Sequence, residues 1–330
     1  MQSDIEIIKS LKASCGLYRA APSSCLYQSV WLRDCFYMGL GLEKAHEIDA
    51  LKNMYHSILN ILCRYEEKID SAIKHKPIYS FQYIHPRYNV EGYEYMEKWG
   101  NSQNDAIGAI LYGLCDLHGK GYDILNNRHS RRIAQKLVWY LESVEYWHDE
   151  DYGMWEDMKQ VHISSIGACV AGLRAARKLS FLDVNYSLID NGIKEIDNLL
   201  KDPNRMGLNL NQLSLIYPYN LLSEERSATL ADTIAKNLER NRGIIRYKND
   251  QYYSNGKEAE WCFGLPWLAI IYRNLGDYQK YGYYMEKSYQ SLTSEGYMPE
   301  LYYGDFIEYN ENTPLGWAQT MYYIAKEMNE

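Results

Sequence analysis

The chain has 330 residues, 46% of them hydrophobic, enough for two average domains or one large barrel-like domain with a substantial core. Its formal net charge of -8, carried by interleaved acidic and basic residues, argues against nucleic acid and anionic membranes as partners. No basic region precedes an apolar run at the N-terminus, and no window of about 18 apolar residues occurs, so neither a secretory leader nor a membrane span is expected.

The residues then read as helices joined by loops, almost without strand signal. Asp4 to Ser14 carries Ile5, Ile8 and Leu11 at helical spacing. Asp34 to Leu42 is short, Gly-rich and apolar nearly all round, as in a buried helix, and Glu43 to Tyr65 is amphipathic. A long polar-aromatic loop follows from Lys74 to Ser102. Thereafter small-residue apolar helices (Asp105 to Leu117, Ser164 to Leu179, Leu210 to Tyr219, Glu260 to Leu275, Pro314 to Met328) alternate with amphipathic ones. The amphipathic members are Arg131 to Trp147, Tyr186 to Leu200, Ser223 to Glu239 and Tyr278 to Leu292. Pro266 is expected to kink its helix.

The apolar members recur about every 50 residues, a period that suggests a solenoid or a closed ring. An open solenoid needs polar terminal caps, whereas the last helix is apolar and aromatic (Leu315, Trp317, Met321, Tyr322, Ile324). The expectation is an all-α, (α/α)6 barrel of inner helices wrapped by outer ones, spanning residues 1–330 as one domain. Seven scattered cysteines without a C-x-x-C pair suit structural thiols in a reduced, cytoplasmic protein.

Aromatic and charged clusters stand before or at the start of the inner helices. They are Trp31-Leu32-Arg33-Asp34, Trp99 to Asp105, Trp155-Glu156-Asp157, Arg246-Tyr247 through Glu260-Trp261, and Met298-Pro299-Glu300. In a barrel, the loops leading into inner helices lie at one end, so these clusters converge on a single mouth. Taken alone, the Trp155 loop reads as a solvated acidic turn; in phase with four others it reads as part of a site. Two distant Glu, one acid and one base, suit glycoside hydrolysis. Arg33, Asp34 and Arg246 suit charge-assisted bonds to sugar hydroxyls, and Trp31, Trp99 and Trp155 suit pocket walls. The 33 tyrosines against 5 phenylalanines also fit sugar recognition, or simply a Tyr-rich core.

Other chemistries lack their motifs: there is no G-x-S-x-G, G-x-x-x-x-G-K, G-x-G-x-x-G or H-E-x-x-H. The eight histidines form no ligand spacing, and the acids from His148 to Asp157 lack the alternation of a calcium loop, so no metal or cofactor is expected. His85 and His162 read as structural hydrogen-bonders.

The set resembles glycoside hydrolase family 15, the glucoamylase family, and is also similar to the hydrolase-like region of phosphorylase kinase α and β subunits. The resemblance runs from about Tyr27 to Trp317. It rests on Trp31-x-Arg33-Asp34, Trp99-Gly100-x-x-Gln103-x-Asp105, Tyr152-x-x-Trp155-Glu156, Arg246-Tyr247 with Tyr252-Tyr253, and Met298-Pro299-Glu300 with Thr313 to Trp317. It implies an inverting, exo-acting α-glucoside hydrolase with Glu156 as general acid and Glu300 as general base. It further implies that Tyr27 stands beside the catalytic water, that Arg33 and Asp34 grip the terminal glucose, and that Trp99 and Arg246 contact it. Asp157 stands where glucoamylases often carry Glu or Arg next to the following sugar. Without an N-terminal β-sandwich or starch-binding module, the expected substrate is a short, soluble α-glucan or α-glucosyl disaccharide. The alternatives are a non-catalytic glucan-binding module of the phosphorylase kinase type, or another α/α-barrel carbohydrate enzyme such as a lyase.

Overall fold

The computed structural model describes residues 2–22, 28–202 and 207–329. Along the chain run α1 (Asp4–Ser10), β1 (Val30–Trp31), α2 (Leu32–Lys44), α3 (Ile48–Arg64), α4 (Glu66–Lys74), β2 (Arg87–Tyr88), α5 (Asn104–Gly119), α6 (Arg128–Val144), α7 (Ile163–Arg177) and α8 (Tyr186–Lys201). A 3-10 segment (Leu210–Leu215) follows, then α9 (Glu224–Leu238), β3 (Glu260–Trp261), α10 (Gly264–Asn274), α11 (Tyr278–Gln290), β4 (Leu301–Tyr302) and α12 (Gly316–Lys326).

The inner ring is α2, α5, α7, the 3-10 segment, α10 and α12, each packed on the next, with α12 returning to α2 to close it. Outside lie α1 against α12, α3 against α2, α6 against α5 and α7, α8 against α7, α9 against the 3-10 segment, and α11 against α10. This is an all-α, (α/α)6 barrel. Small residues let the inner helices approach closely: a Cβ on Gly108 of α5 would stand 2.4 Å from the Cys169 backbone nitrogen of α7. Closure is reinforced by polar contacts, because Gln319 Nε2 and Lys326 Nζ of α12 donate to the Asp4 carboxylate of α1 at 2.8 and 2.9 Å.

Capping differs between the α-helices of the two rings, with α3 (Glu47, no side-chain cap) and the inner 3-10 segment (capped by Asn209) as exceptions. Five outer helices, α1, α6, α8, α9 and α11, have Ser, Asn or Asp at the N-cap accepting from a first-turn amide. The inner helices α2, α5, α7, α10 and α12 follow Trp31, Gln103, His162, Phe263 and Leu315, none of which caps with its side chain. Trp31, Phe263 and Leu315, at three of these uncapped starts, line the same cavity as the carboxylates of Glu156 and Glu300.

Several expectations are corrected. The first helix ends at Ser10 rather than Ser14, and the stretch around Glu43 splits at His46, whose φ is +55°. A helix not expected from the pattern, α4, follows α3 after a break at Tyr65 and packs against α6, burying Ile69 and Ala72. Leu210 to Tyr219 forms only a 3-10 segment: Pro218 cannot supply a helical amide, and it disfavours helical backbone at Tyr217. Pro266 does not kink α10, since it is the third residue, where amides have no intrahelical partner anyway. Two short antiparallel ladders, β1 with β2 and β3 with β4, lie among segments expected to be strand-free.

Candidate active site

The two ladders and the inner-helix starts bring nine of the ten expected site residues around one cavity of about 180 Å3. Trp31, Arg33, Asp34, Trp99, Trp155, Glu156, Asp157, Arg246 and Glu300 all line it, together with Tyr252, Trp261, Phe263 and Trp317. Tyr27 lies outside the described residues.

Glu156 occupies a strained position. It is a non-glycine residue with φ of +63°, following Gly153 at +59° in a turn closed by the Glu156 amide donating to the Tyr152 carbonyl. A Cβ on Gly153 would stand 2.6 Å from the His162 ring, so this turn is built for glycine. Asp151 pins the loop: its buried carboxylate accepts from the Asn104 and Gly153 amides and from Ser165 Oγ. Trp155 Nε1 donates to Asn209 Oδ1 at 2.7 Å, fixing the indole as a wall. Among the acids of this loop, Asp149 and Asp151 are thus structural, while Glu156 and Asp157 border the cavity.

Burial pushes the Glu156 carboxyl up from 4.5 to about 7; Arg33 opposes the rise and Asp34 and Asp105 assist it. Arg33 Nη2 donates to Glu156 Oε1 at 3.0 Å, and its Nη1 donates to Asp105 at 2.8 Å and Gln103 at 3.1 Å. Asp34 rises to about 6, chiefly through burial, with Arg33 opposing and the charge of Glu300 adding to the rise.

Across the ring, Glu300 is 2% exposed, and Asn310 and Asn312 both donate to its Oε2, the latter at 2.7 Å. Its carbonyl accepts from the Cys262 amide, which ties it beside β3. Arg246 donates to both oxygens of Asp250, at 2.6 and 2.7 Å, and lies 3.1 Å from Asp157 Oδ2. Tyr247 Oη also donates to Asp157, at 2.8 Å. Much of Arg246's donor capacity is therefore used within the protein.

The site contains residues that the spacing did not single out. Asn310 and Asn312 orient Glu300, and Phe263 stacks on Trp317 at 4.6 Å. Arg87 lies over the rings of Trp99, Tyr95 and Trp31 at 4.2, 4.5 and 5.4 Å. The Asn-x-Asn pair ten residues after Glu300 was the one local signal; Arg87 and Phe263 join only through tertiary packing. His85 bonds Asn101 and His162 bonds the Met158 carbonyl, as expected of structural histidines. Among the described residues no His, Cys, Asp and Glu cluster could hold a metal, and no helix is long and apolar enough to cross a membrane.

The profile of glycosyl hydrolases family 15 matches residues 4–328. The chain belongs to that family. An uncharacterised glycosyl hydrolase of Methanocaldococcus jannaschii is 24% identical over 92% of this chain and 51% of its own length. A probable phosphorylase b kinase regulatory subunit alpha of Caenorhabditis elegans is 27% identical over 59% of this chain and 16% of its own length. The chain thus spans about half of the archaeal relative and a small part of the kinase subunit. Among solved structures, a wild-type glycosidase superposes with a TM-score of 0.85 at 19% identity, covering 99% of this chain and 95% of that one. A bacterial glucoamylase complexed with acarbose gives a TM-score of 0.70 at 16% identity, covering 99% and 54%. At these identities the likeness establishes the shared fold.

Proposed function

We propose that this glycoside hydrolase is an exo-acting, inverting α-glucosidase of glucoamylase type, releasing glucose from the non-reducing end of soluble α-glucans or α-glucosyl disaccharides. The observation that carries the proposal is the pairing in one small cavity of Glu156, a carboxyl whose pKa lies near 7, with Glu300, a carboxyl oriented by two Asn side chains. A carboxyl of that acidity holds its proton near neutrality and can still give it up, as a general acid requires.

Glu156 gives its proton to the glycosidic oxygen as the bond to the anomeric carbon breaks. Water attacks that carbon from the opposite face, and Glu300 accepts its proton, so one step inverts the configuration. Arg33 and Asp34 hold hydroxyls of the terminal glucose. Trp31, Trp99 and Trp155 wall the ring from water, and Trp31 meets Trp99 edge to face at 6.3 Å. Arg246, locked by Asp250, presents what remains of its guanidinium edge to the sugar, and Asp157 borders the scissile side.

The test is glucose release from maltose, isomaltose, trehalose and maltooligosaccharides by the parent and by Glu156→Gln. Turnover is expected to fall by about 10²–10⁴-fold in the variant; undiminished activity, or no release from any α-glucoside by the parent, overturns the assignment. The similarity to the kinase subunit favours a second reading, a glucan-binding module without turnover. Calorimetric glucan binding with no hydrolysis is the outcome it requires.

A further inference from the structure

The tryptophans that wall the catalytic cavity are held in different ways. Trp155 is bonded through Nε1 to Asn209. Trp31 stands in β1, whose backbone is tied to β2 and, through the Leu32 amide, to the Pro86 carbonyl at 2.8 Å. Trp99 sits in the loop that precedes α5, and its Nε1 is buried without a partner among the described residues. Its backbone is anchored, since its carbonyl accepts from Ser80 Oγ and from the Asn101 amide. No hydrogen bond among the described residues fixes the direction of its indole.

Arg87 supplies what Trp99 lacks. The register of the β1–β2 ladder sets Arg87 opposite Trp31, so both side chains leave the same face. From there its guanidinium lies 4.2 Å from the centre of the Trp99 ring, 4.5 Å from that of Tyr95 and 5.4 Å from that of Trp31. Glu97 accepts from its Nη2, and Tyr95 is tied in turn to Ser29, hydroxyl to hydroxyl at 2.8 Å. Arg87 is 2% exposed and does not line the catalytic cavity, so it stands behind the wall rather than in it. A cation is attracted to the negative face of an indole, most strongly where water is excluded, and a flat guanidinium stacks on aromatic faces where an ammonium cannot. Such a contact fixes the direction of the ring as well as its distance.

We propose that Arg87 is a positioning residue for the sugar site: it locks the Trp99 indole to the β1–β2 ladder, as the wall against which the sugar ring is bound. The inference rests on the reading of this cavity as an α-glucoside site. Proton transfers fall to Glu156 and Glu300, and Arg87 shares no hydrogen bond with either among those described. Loss of the lock therefore weakens sugar binding and leaves the chemical step alone.

The experiment compares Arg87→Met, which keeps an apolar stem and loses the cation, with Arg87→Lys, which keeps the charge and loses the flat fork. On maltose, KM is expected to rise about tenfold in Arg87→Met, the worth of a desolvated cation–π contact. A smaller rise is expected in Arg87→Lys, with kcat within about twofold of the parent in both. Repeating Arg87→Met in the Trp99→Leu background should give no further rise, because the ring it holds is gone. Three results overturn the lock: KM unchanged in both Arg87 variants with only the unfolding temperature lowered, the same rise with and without the indole, or an effect carried by kcat. If Arg87→Met does not fold, Arg87→Lys alone decides by the same criteria. Calorimetry of maltose binding in the Glu156→Gln background separates the lock from the hydrolase reading. A parent that cleaves no α-glucoside defeats that reading; weaker maltose binding on Arg87→Met still supports the lock, and unchanged or undetectable binding overturns it.

Discussion

At Glu156 the proton affinity is set by a contest that burial wins. Arg33 sits 3.0 Å from the carboxyl, yet desolvation, with the nearby charges of Asp34 and Asp105, leaves the group near 7. The acid works only when protonated, so kcat/KM is expected to fall as pH rises through about 7. Asp34→Asn removes one of the charges that raise Glu156, so it should shift this limb to lower pH in addition to weakening activity. A limb that stays in place in the pH–rate profile would show that Asp34 does not act on the acid. The same shift has a stability consequence. With a folded pKa of about 7 against 4.5, the native state binds the proton more tightly. The stability from this group is therefore complete below 4.5 and is lost as pH rises to about 7. Glu156→Gln, which needs no proton, should match the parent in thermal unfolding near pH 4 and exceed it near pH 8, by no more than about 3 kcal/mol.

Among elements, the same glycine means opposite things on the two rings. On α5, Gly108 touches the α7 backbone, with Cys169 N and Ala168 C within 2.4 and 2.5 Å of an added Cβ. Neither backbone can yield, so Gly108→Ala should cost about 3 kcal/mol or more. On α11, Gly282 has nothing within 4 Å, and Gly282→Ala should stabilise by about 0.5–1 kcal/mol. Urea titrations of the two variants check both signs. The contrast also shows what was legible in the sequence. Runs of Gly and Ala in apolar helices announced close packing, and the amphipathic stripes of α6, α8, α9 and α11 announced an outer ring, so the barrel could be read. Boundaries at His46 and Leu215 could not, because a residue at positive φ and a Pro ending a short apolar run leave the hydrophobic spacing unchanged. In the site, Trp31, Arg33, Glu156 and Glu300 stood out because each belongs to an aromatic and charged cluster that precedes or opens an inner helix. Arg87 and Phe263 did not, because their roles come from rings that other segments bring to them. Asp157 was legible as a neighbour of the acid, but its ties to Arg246 and Tyr247 depend on a loop 90 residues away.

For the whole molecule, one aromatic column joins ring closure to the site. Tyr37 of α2 stacks on Trp317 of α12 at 4.2 Å and 14°, and Trp317 stacks on Phe263, which leads into α10, at 4.6 Å and 14°. Trp155 of the acid loop lies parallel to Trp317 within 19° at 6.5 Å. Trp317 is 4% exposed and sits where the last inner helix meets the first, so it spans the joint of the ring and lines the catalytic cavity. Removing it leaves a hole with few means of collapse, because its neighbours are themselves large rings held on α2, at the start of α10 and on the acid loop. Trp317→Ala should cost about 3–5 kcal/mol and reduce activity by loosening the wall that Trp155 forms. Because each inner helix leans on two others, the loss should not be confined to the joint. Circular dichroism and tryptophan fluorescence should report one coincident transition at a lowered temperature for the full chain. Two separated transitions would mean that the ring is built from units that fold apart, and that its closure by α12 is not what holds it together.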